Sequence, residues 1–201
     1  MGFDGIKPFV EDCARYGKGV FVLVKTSNPS SGQLQDMPTI RDTSSITERQ
    51  RVAIGDLGLK RLSGVSGEAI VIPSFAVTAG LVDEWGADCR GDRGYSSVGA
   101  VVGATYPEEA MRLRRLMPST YFLAPGYGAQ GGGADDAAAC FNDDGYGAVV
   151  SSSRAITYAY REGEAEGARR EEVFDVAAGA AAAAMKENLR FALKRSGRYP
   201  W

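Results

Sequence analysis

The chain has 201 residues, a size typical of one domain, and its 44% hydrophobic and 24% charged residues indicate a globular protein rather than a disordered one. Its net charge of -2 gives no electrostatic reason to expect nucleic acid or an anionic membrane surface as a partner. The sequence contains no histidine, which excludes Ser-His-Asp triads, Cys-His pairs and histidine-based zinc sites.

Three isolated cysteines, Cys13, Cys89 and Cys140, form neither a CxxC motif nor an even set. We therefore expect small core residues rather than zinc ligands or a disulfide framework. The first residues lack the apolar segment of a signal peptide, and no apolar run approaches the ~18 residues of a membrane helix. These patterns predict a cytoplasmic protein.

Short apolar runs alternate with helical segments along the chain. In order, we predict a helix over 6–16, a strand over 19–25, a helix over 78–85, a strand over 98–104, a helix over 107–117, a strand over 120–124, a helix over 134–141, a strand over 147–150, and helices over 155–161 and 171–195. This alternation indicates an α/β fold with a parallel sheet. Short strands followed by Gly-rich loops suggest a (β/α)8 barrel, of which about four units are present.

Residues 37–77 are the least regular part of the sequence, with Thr, Ser and Gly in mixed order. A helix over 47–62 would be weakened by Gly55 and Gly58, so we expect an irregular insertion at 37–77. The whole chain, 1–201, is then one partial-barrel domain.

Two polar loops follow consecutive predicted strands. PGYGAQGGG spans residues 125–133, and its glycines allow backbone N–H groups to face an anion. SSSR spans residues 151–154, where Arg154 can make two parallel hydrogen bonds to a phosphate. In (β/α)8 barrels the loops after the last two strands commonly bind phosphate. We predict a phosphate site here; the alternative is that the glycines only turn the chain and Arg154 only caps a helix.

Two further polar stretches flank predicted strands. Lys25–Pro29 offers hydroxyl and amide groups suited to a polar heterocycle. The pattern alone, however, favours a turn before Pro29 whose Ser and Asn side chains hydrogen-bond within the turn itself. Tyr95, Ser96 and Ser97 precede a strand, at the end opposite the loops that bind ligands in barrels, and we predict a structural role for them.

Four segments together resemble one enzyme family: FVLVKTSNPSSGQLQD, GYSSVGAVVGATYPEE, TYFLAPGYGAQGG and SSSRAITYAY. They are similar to the longer bacterial orotidine 5'-phosphate decarboxylases, and the resemblance covers nearly all of the chain outside about residues 37–77. It implies a cofactor-free barrel that converts orotidine 5'-phosphate (OMP) to UMP and CO2 in pyrimidine biosynthesis. The ligand-binding residues implied by the resemblance are Ser27 for the pyrimidine amide, Gln130 bridging phosphate and base, Arg154 for the phosphate, Pro125 and Gly126 at the start of the same loop, and a backbone N–H of Ser153 or Arg154.

The catalytic segment of that family, D-x-K-x-x-D, has no counterpart in this sequence. In the family its lysine protonates the C6 carbanion and an aspartate crowds the departing carboxylate. Asp4 and Lys7 are the nearest pair, and their spacing differs. The resemblance therefore implies only the C-terminal half of the enzyme, with OMP or UMP as ligand, no catalytic residues, no metal and no activity alone.

Two hypotheses remain open on this basis. The chain is either one half of a decarboxylase that pairs with an N-terminal half, or a non-catalytic nucleotide-phosphate-binding protein. In the second case two half barrels, each with exposed edge strands, can pair as a homodimer into an eight-stranded barrel.

Overall fold

The computed structural model describes residues 2–42, 44, 46, 47, 51, 60, 61, 69–128, 131–161 and 174–199. Its helices are α1 (Phe3–Tyr16), α2 (Gly32–Gln35), α3 (Ser74–Trp85), α4 (Pro107–Leu116), α5 (Ala134–Ala138), α6 (Ser153–Thr157) and α7 (Phe174–Arg195), with single 3-10 turns at Pro29–Ser31 and Ala159–Arg161. Its strands are β1 (Val20–Lys25), β2 (Pro38–Asp42), β3 (Lys60–Arg61), β4 (Ala69–Pro73), β5 (Ser96–Val102), β6 (Thr120–Ala124) and β7 (Ala148–Val150).

The main sheet contains four parallel strands in the order β1-β5-β6-β7. Each is an apolar run that the sequence predicts as a strand, and β6 has the predicted bounds. Neighbouring strands are separated by helical segments, because parallel strands need a long crossover. The α/β prediction is confirmed, and four parallel strands are half of the eight in a (β/α)8 barrel.

The hydrophobic core lies between one face of this sheet and helices α1, α3 and α4. Its fully buried side chains include Val24, Val82, Val98, Val102, Leu113, Leu116, Met117 and Phe122. On the other face, Phe21, Leu23 and Val149 are 42%, 64% and 46% exposed. The sheet is therefore covered on one face and presents apolar side chains on the other.

Residues 37–77, expected as an irregular insertion, contain regular structure at both ends. Strands β2, β4 and β3 form an antiparallel sheet in that order, with Thr39 opposite Ile72, and α3 begins directly after β4. Lys60 and Arg61 form β3 rather than the end of a helix, while residues 43, 45, 48–50, 52–59 and 62–68 lie outside the described part. That the segment is an insertion into the barrel stays a prediction.

A buried arginine ties together the amino ends of the parallel strands. The Arg114 guanidinium makes five hydrogen bonds to backbone carbonyls, namely two to Cys140 O (3.0 and 2.8 Å) and one each to Met117 O (3.0 Å), Thr120 O (2.8 Å) and Gly147 O (2.8 Å). It also lies 3.5 Å from the centroid of the Phe122 ring. Burial lowers the pKa of Arg114 to about 10, so the group stays charged at neutral pH.

Cys140 packs beside this arginine, and its burial predicts a loss of stability in alkali. Burial raises the pKa of the thiol from its usual 9.0 to about 12, although the nearby Arg114 charge opposes the shift. The unfolded chain therefore releases this proton earlier than the folded chain. The resulting stability is complete below pH 9 and is lost as the pH rises from 9 through 12.

We expect Cys140→Ala to flatten the fall in unfolding free energy above pH 9, measured by urea denaturation at a series of pH values. The variant loses some stability at every pH, because the smaller side chain leaves a cavity. Cys89→Ala, at a half-buried and unpaired thiol, is the control. Equal alkaline slopes for the wild type and Cys140→Ala would contradict the prediction.

Candidate functional site

The carboxyl ends of the four parallel strands meet at one edge of the main sheet. Backbone hydrogen bonds join their loops in strand order, from Gly103 N to Lys25 O at 2.7 Å and from Ala104 N to Pro125 O at 2.8 Å. Ser151 N completes the series by donating to Ala124 O at 3.1 Å. The loops after β1, β5, β6 and β7 therefore form one continuous rim.

A cleft of about 100 Å³ opens in this rim between the loops that follow β6 and β7. Its lining residues are Pro125, Gly126, Tyr127, Ser151, Ser152, Ser153 and Arg154. The structure thus brings together Pro125, Gly126, Ser153 and Arg154, four of the residues predicted to bind a ligand. That they contact substrate stays a prediction.

Glycines shape the loop on the β6 side of the cleft. Gly126, Gly128 and Gly131 have positive φ angles of 103°, 75° and 93°, which side chains disfavour. A Cβ at Gly132 would lie only 2.8 Å from Gly126 O, so the loop requires a residue without a side chain there. Gln130 lies outside the described residues, and its bridging role stays a prediction.

Ser152 joins the two walls of the cleft, a role that the sequence analysis missed. Its hydroxyl is buried and donates to Tyr127 O at 3.0 Å. Its neighbours Ser153 and Arg154 are exposed, and no ion pair among the described residues involves Arg154. A guanidinium beside a small polar cleft has the charge and the donor geometry to bind a phosphate group. The three consecutive serines before Arg154 were the sequence signal that could have indicated the hydrogen bond between Ser152 and Tyr127.

Ser27 lies at the far end of the rim, after β1, and does not line the cleft. Its backbone packs against Gly103, where an added Cβ would lie 2.9 Å from Ser27 Cα, and its carbonyl accepts a hydrogen bond from Thr105 Oγ1 at 3.4 Å. Gly103 and Thr105 follow β5, so the loop after this strand separates Ser27 from the cleft. Ser27 and the cleft therefore lie on the same rim, on either side of the loop after β5.

The described residues show no group of three or more acidic or cysteine side chains arranged to hold a metal ion. Within the same ranges, no helix has the length and apolar character needed to cross a membrane.

Tyr95, as predicted, lies away from the rim, where its hydroxyl accepts a hydrogen bond from Asn142 at 2.7 Å.

No protein-family model matches the chain. Among curated proteins it is 45% identical over 161 residues to the orotidine 5'-phosphate decarboxylase of Caldicellulosiruptor bescii, covering 80% of this chain and 43% of the relative. It is 40% identical over 190 residues to that of Rhodopirellula baltica, covering 94% of this chain and 53% of the relative. Over 80–94% of its length, the chain is therefore homologous to these orotidine 5'-phosphate decarboxylases. It spans about half the length of the curated decarboxylases that it matches.

Solved structures of this decarboxylase family share the fold. A crystal structure from Toxoplasma gondii, assigned as an orotidine-monophosphate decarboxylase, matches with a TM-score of 0.62 and 27% identity, over 96% of this chain and 57% of its own. The UMP synthase of Leishmania donovani matches with a TM-score of 0.53 and 27% identity, over 88% of this chain and 30% of its own. The sheet described above therefore corresponds to part of a decarboxylase barrel.

Proposed function

We propose that this chain is the nucleotide-binding half of an orotidine 5'-phosphate decarboxylase. The cleft between residues 125–128 and 151–154 binds the phosphate of OMP and UMP, and Ser27 hydrogen-bonds the pyrimidine. The observation that carries this proposal is the convergence of the two loops, with Arg154 beside them, on one small polar cleft. Relatives at 34–45% identity that are named orotidine 5'-phosphate decarboxylases support the proposed reaction class, removal of CO2 from OMP to leave UMP.

The proposed contribution of these residues to catalysis is binding energy rather than proton transfer. The phosphate lies far from the carbon that loses CO2, and energy gained there orients the base and keeps the loops closed around it. The Arg154 side chain and a backbone N–H of Ser153 or Arg154 hold the phosphate, and Gln130 links phosphate to base. Ser27 fixes the ring from the opposite end of the rim.

The chemical step, in this proposal, requires a second four-stranded half that carries the D-x-K-x-x-D segment. Of the described lysines, Lys25 lies at the carboxyl end of a parallel strand, and it is buried against Asp36. Lys7 lies on α1 and pairs with Glu11 at 3.6 Å. The exposed apolar face around Phe21 and Leu23 is the surface that the second half would cover. Alone, the chain binds nucleotide and does not decarboxylate it.

Arg154→Ala tests the phosphate site directly. Loss of charge-assisted hydrogen bonds to phosphate should weaken UMP binding by about 10- to 100-fold, measured by isothermal titration calorimetry. Arg112→Ala is the matched control, since Arg112 lies on α4, does not line the cleft and contacts Glu108 at 3.9 Å. Equal UMP affinities for Arg154→Ala and the wild type would overturn the assignment of the cleft.

The absorbance of OMP tests the need for a second half. We expect no turnover by the 201-residue chain and restored turnover when the N-terminal half of a family member is assembled with it. Turnover by the chain alone, abolished by Arg154→Ala, would show that it carries its own proton donor. A correctly assembled mixture that stays inactive would also count against the half-enzyme proposal.

The bare face of the sheet favours a second candidate function, a non-catalytic nucleotide-phosphate-binding protein that pairs with itself. Phe21 and Leu23 on edge strand β1 and Val149 on edge strand β7 are exposed, and two copies can bury them in a closed barrel. Light scattering after gel filtration separates the candidates, because a well-folded monomer contradicts pairing.

In either case we propose the cytosol as the compartment, which suits three unpaired thiols.

A further inference from the structure

Lys25 is a lysine buried at the ligand-binding rim, and the proposed function gives it no role. Its side chain is 1% exposed at the end of β1, where the strand pairing shifts register between Leu23 and Lys25. Nζ lies 5.1 Å from the centroid of the Phe75 ring and 4.8 Å from that of Tyr106. Burying an ammonium group destabilises the folded state unless the charge is paired, so the partner of Lys25 matters.

The partner of Lys25 is Asp36, whose carboxylate accepts a hydrogen bond from Nζ. A second carboxyl group, that of Glu109 on α4, faces the same lysine; burial raises the pKa of Glu109, while the Lys25 charge lowers it. Asp36 directly follows α2, the short helix whose last residue, Gln35, hydrogen-bonds Thr26 in the turn after β1. Lys25 and Asp36 therefore join the end of the strand to the far end of the loop.

Gln35, next to Asp36, holds the turn that contains Ser27. Its Oε1 accepts a hydrogen bond from Thr26 N at 3.0 Å, and its Nε2 donates to Thr26 Oγ1 at 3.1 Å. Ser74, the first residue of α3, also holds α2: its Oγ donates to Leu34 O at 2.6 Å and Gln35 O at 2.9 Å. Thr26 is adjacent to Ser27, so any shift of α2 moves Ser27.

We infer that Lys25 is a positioning residue for the pyrimidine, which acts through Asp36 and α2 to hold Ser27 in place. This inference rests on the proposed function, because it assigns Ser27 to the base. It makes a specific distinction between ligands. The phosphate cleft is built from other loops, so loss of the Lys25–Asp36 pair should weaken binding of the base and leave binding of the sugar phosphate intact.

The test compares UMP with ribose 5-phosphate by isothermal titration calorimetry on Lys25→Met, which removes the charge and keeps an apolar stem. We expect about tenfold weaker UMP binding, because a small displacement of a positioned group lowers affinity sharply. Ribose 5-phosphate affinity should stay within about twofold of the wild type, as for independent sites. Retained ribose 5-phosphate binding also shows that the variant is folded.

Asp36→Asn is the second variant and should give the same selective loss of UMP affinity. In the double variant Lys25→Met/Asp36→Asn the losses of UMP affinity should not add, since each change alone removes the same ion pair. Lys7→Met, at an exposed lysine on α1, is the control. If the wild type binds UMP and Lys25→Met binds it equally well, or weakens both ligands alike, the positioning role is wrong while the proposed function stands. If the wild type binds neither ligand, the proposed function is wrong and the inference falls with it.

Discussion

Replacing Arg114 with methionine should lower the free energy of unfolding by about 3–5 kcal/mol, because it leaves buried carbonyl groups without their donor. Met117 O and Gly147 O keep a second backbone donor, from Thr120 N and Phe122 N respectively. Cys140 O instead accepts two hydrogen bonds from the guanidinium. The change also removes the cation stacked on the Phe122 ring.

Urea denaturation monitored by circular dichroism measures the change in unfolding free energy of Arg114→Met. Thermal denaturation of the same variant should show a melting temperature lower by about 10 °C. Arg115→Ala is the control, because Arg115 is the adjacent residue on α4 and its side chain is exposed. Arg114→Lys keeps the charge but lacks the planar fork that reaches several carbonyls, so it should be intermediate. Equal stability of Arg114→Met and Arg115→Ala would show that the hydrogen bonds from Arg114 to the backbone carbonyls contribute little to the free energy of unfolding.

Gly103→Ala should strongly weaken UMP binding, since this glycine lets Ser27 approach the loop after β5. The added Cβ would lie 2.9 Å from the N, Cα and Cβ atoms of Ser27, a distance that forces backbone to move. We expect a cost of about 1–3 kcal/mol in stability from overpacking. The displaced Ser27 should also reduce UMP affinity at least about tenfold.

The matched control for this substitution is Gly179→Ala on α7, where an added Cβ meets nothing within 4 Å. That change should leave UMP binding unaltered and raise helix stability slightly. Calorimetry with UMP and urea denaturation of both variants measure the two effects. Normal UMP affinity in Gly103→Ala would mean that Ser27 is not held at the position its ligand requires.

Local sequence patterns predicted the parallel strands well, because each is a short apolar run that ends at polar or glycine residues. The same reasoning placed α3 at residue 78, although it begins at Ser74. The apolar residues before it belong to β4, and their pairing with β2 depends on residues about 30 positions apart. Such pairing is a tertiary effect that periodicity does not reveal.

The candidate site was predictable where its residues are adjacent in the sequence and not where they act across the fold. Pro125, Gly126, Ser153 and Arg154 lie in two legible loops, and the structure places them around one cleft. Lys25 and Asp36 are 11 residues apart with a turn between them, so their ion pair has no sequence pattern.

Arg114 was equally hidden, within the charged stretch of α4. It lies four residues after Ala110 and three before Met117, both fully buried, which places it on the helix face that packs against the sheet. That position was the available signal for a buried arginine.

Arg114 and the cleft beside Arg154 lie at opposite ends of the same strands. The carbonyls bound by Arg114 precede or begin β6 and β7, whereas the cleft follows them. The loops that would recognise a ligand are therefore separate from the contacts that secure the sheet. Mutations at exposed positions of those loops, such as Ser153 and Arg154, can accumulate during evolution with little loss of folding stability. This scaffold can therefore acquire a new ligand preference while its framework stays intact.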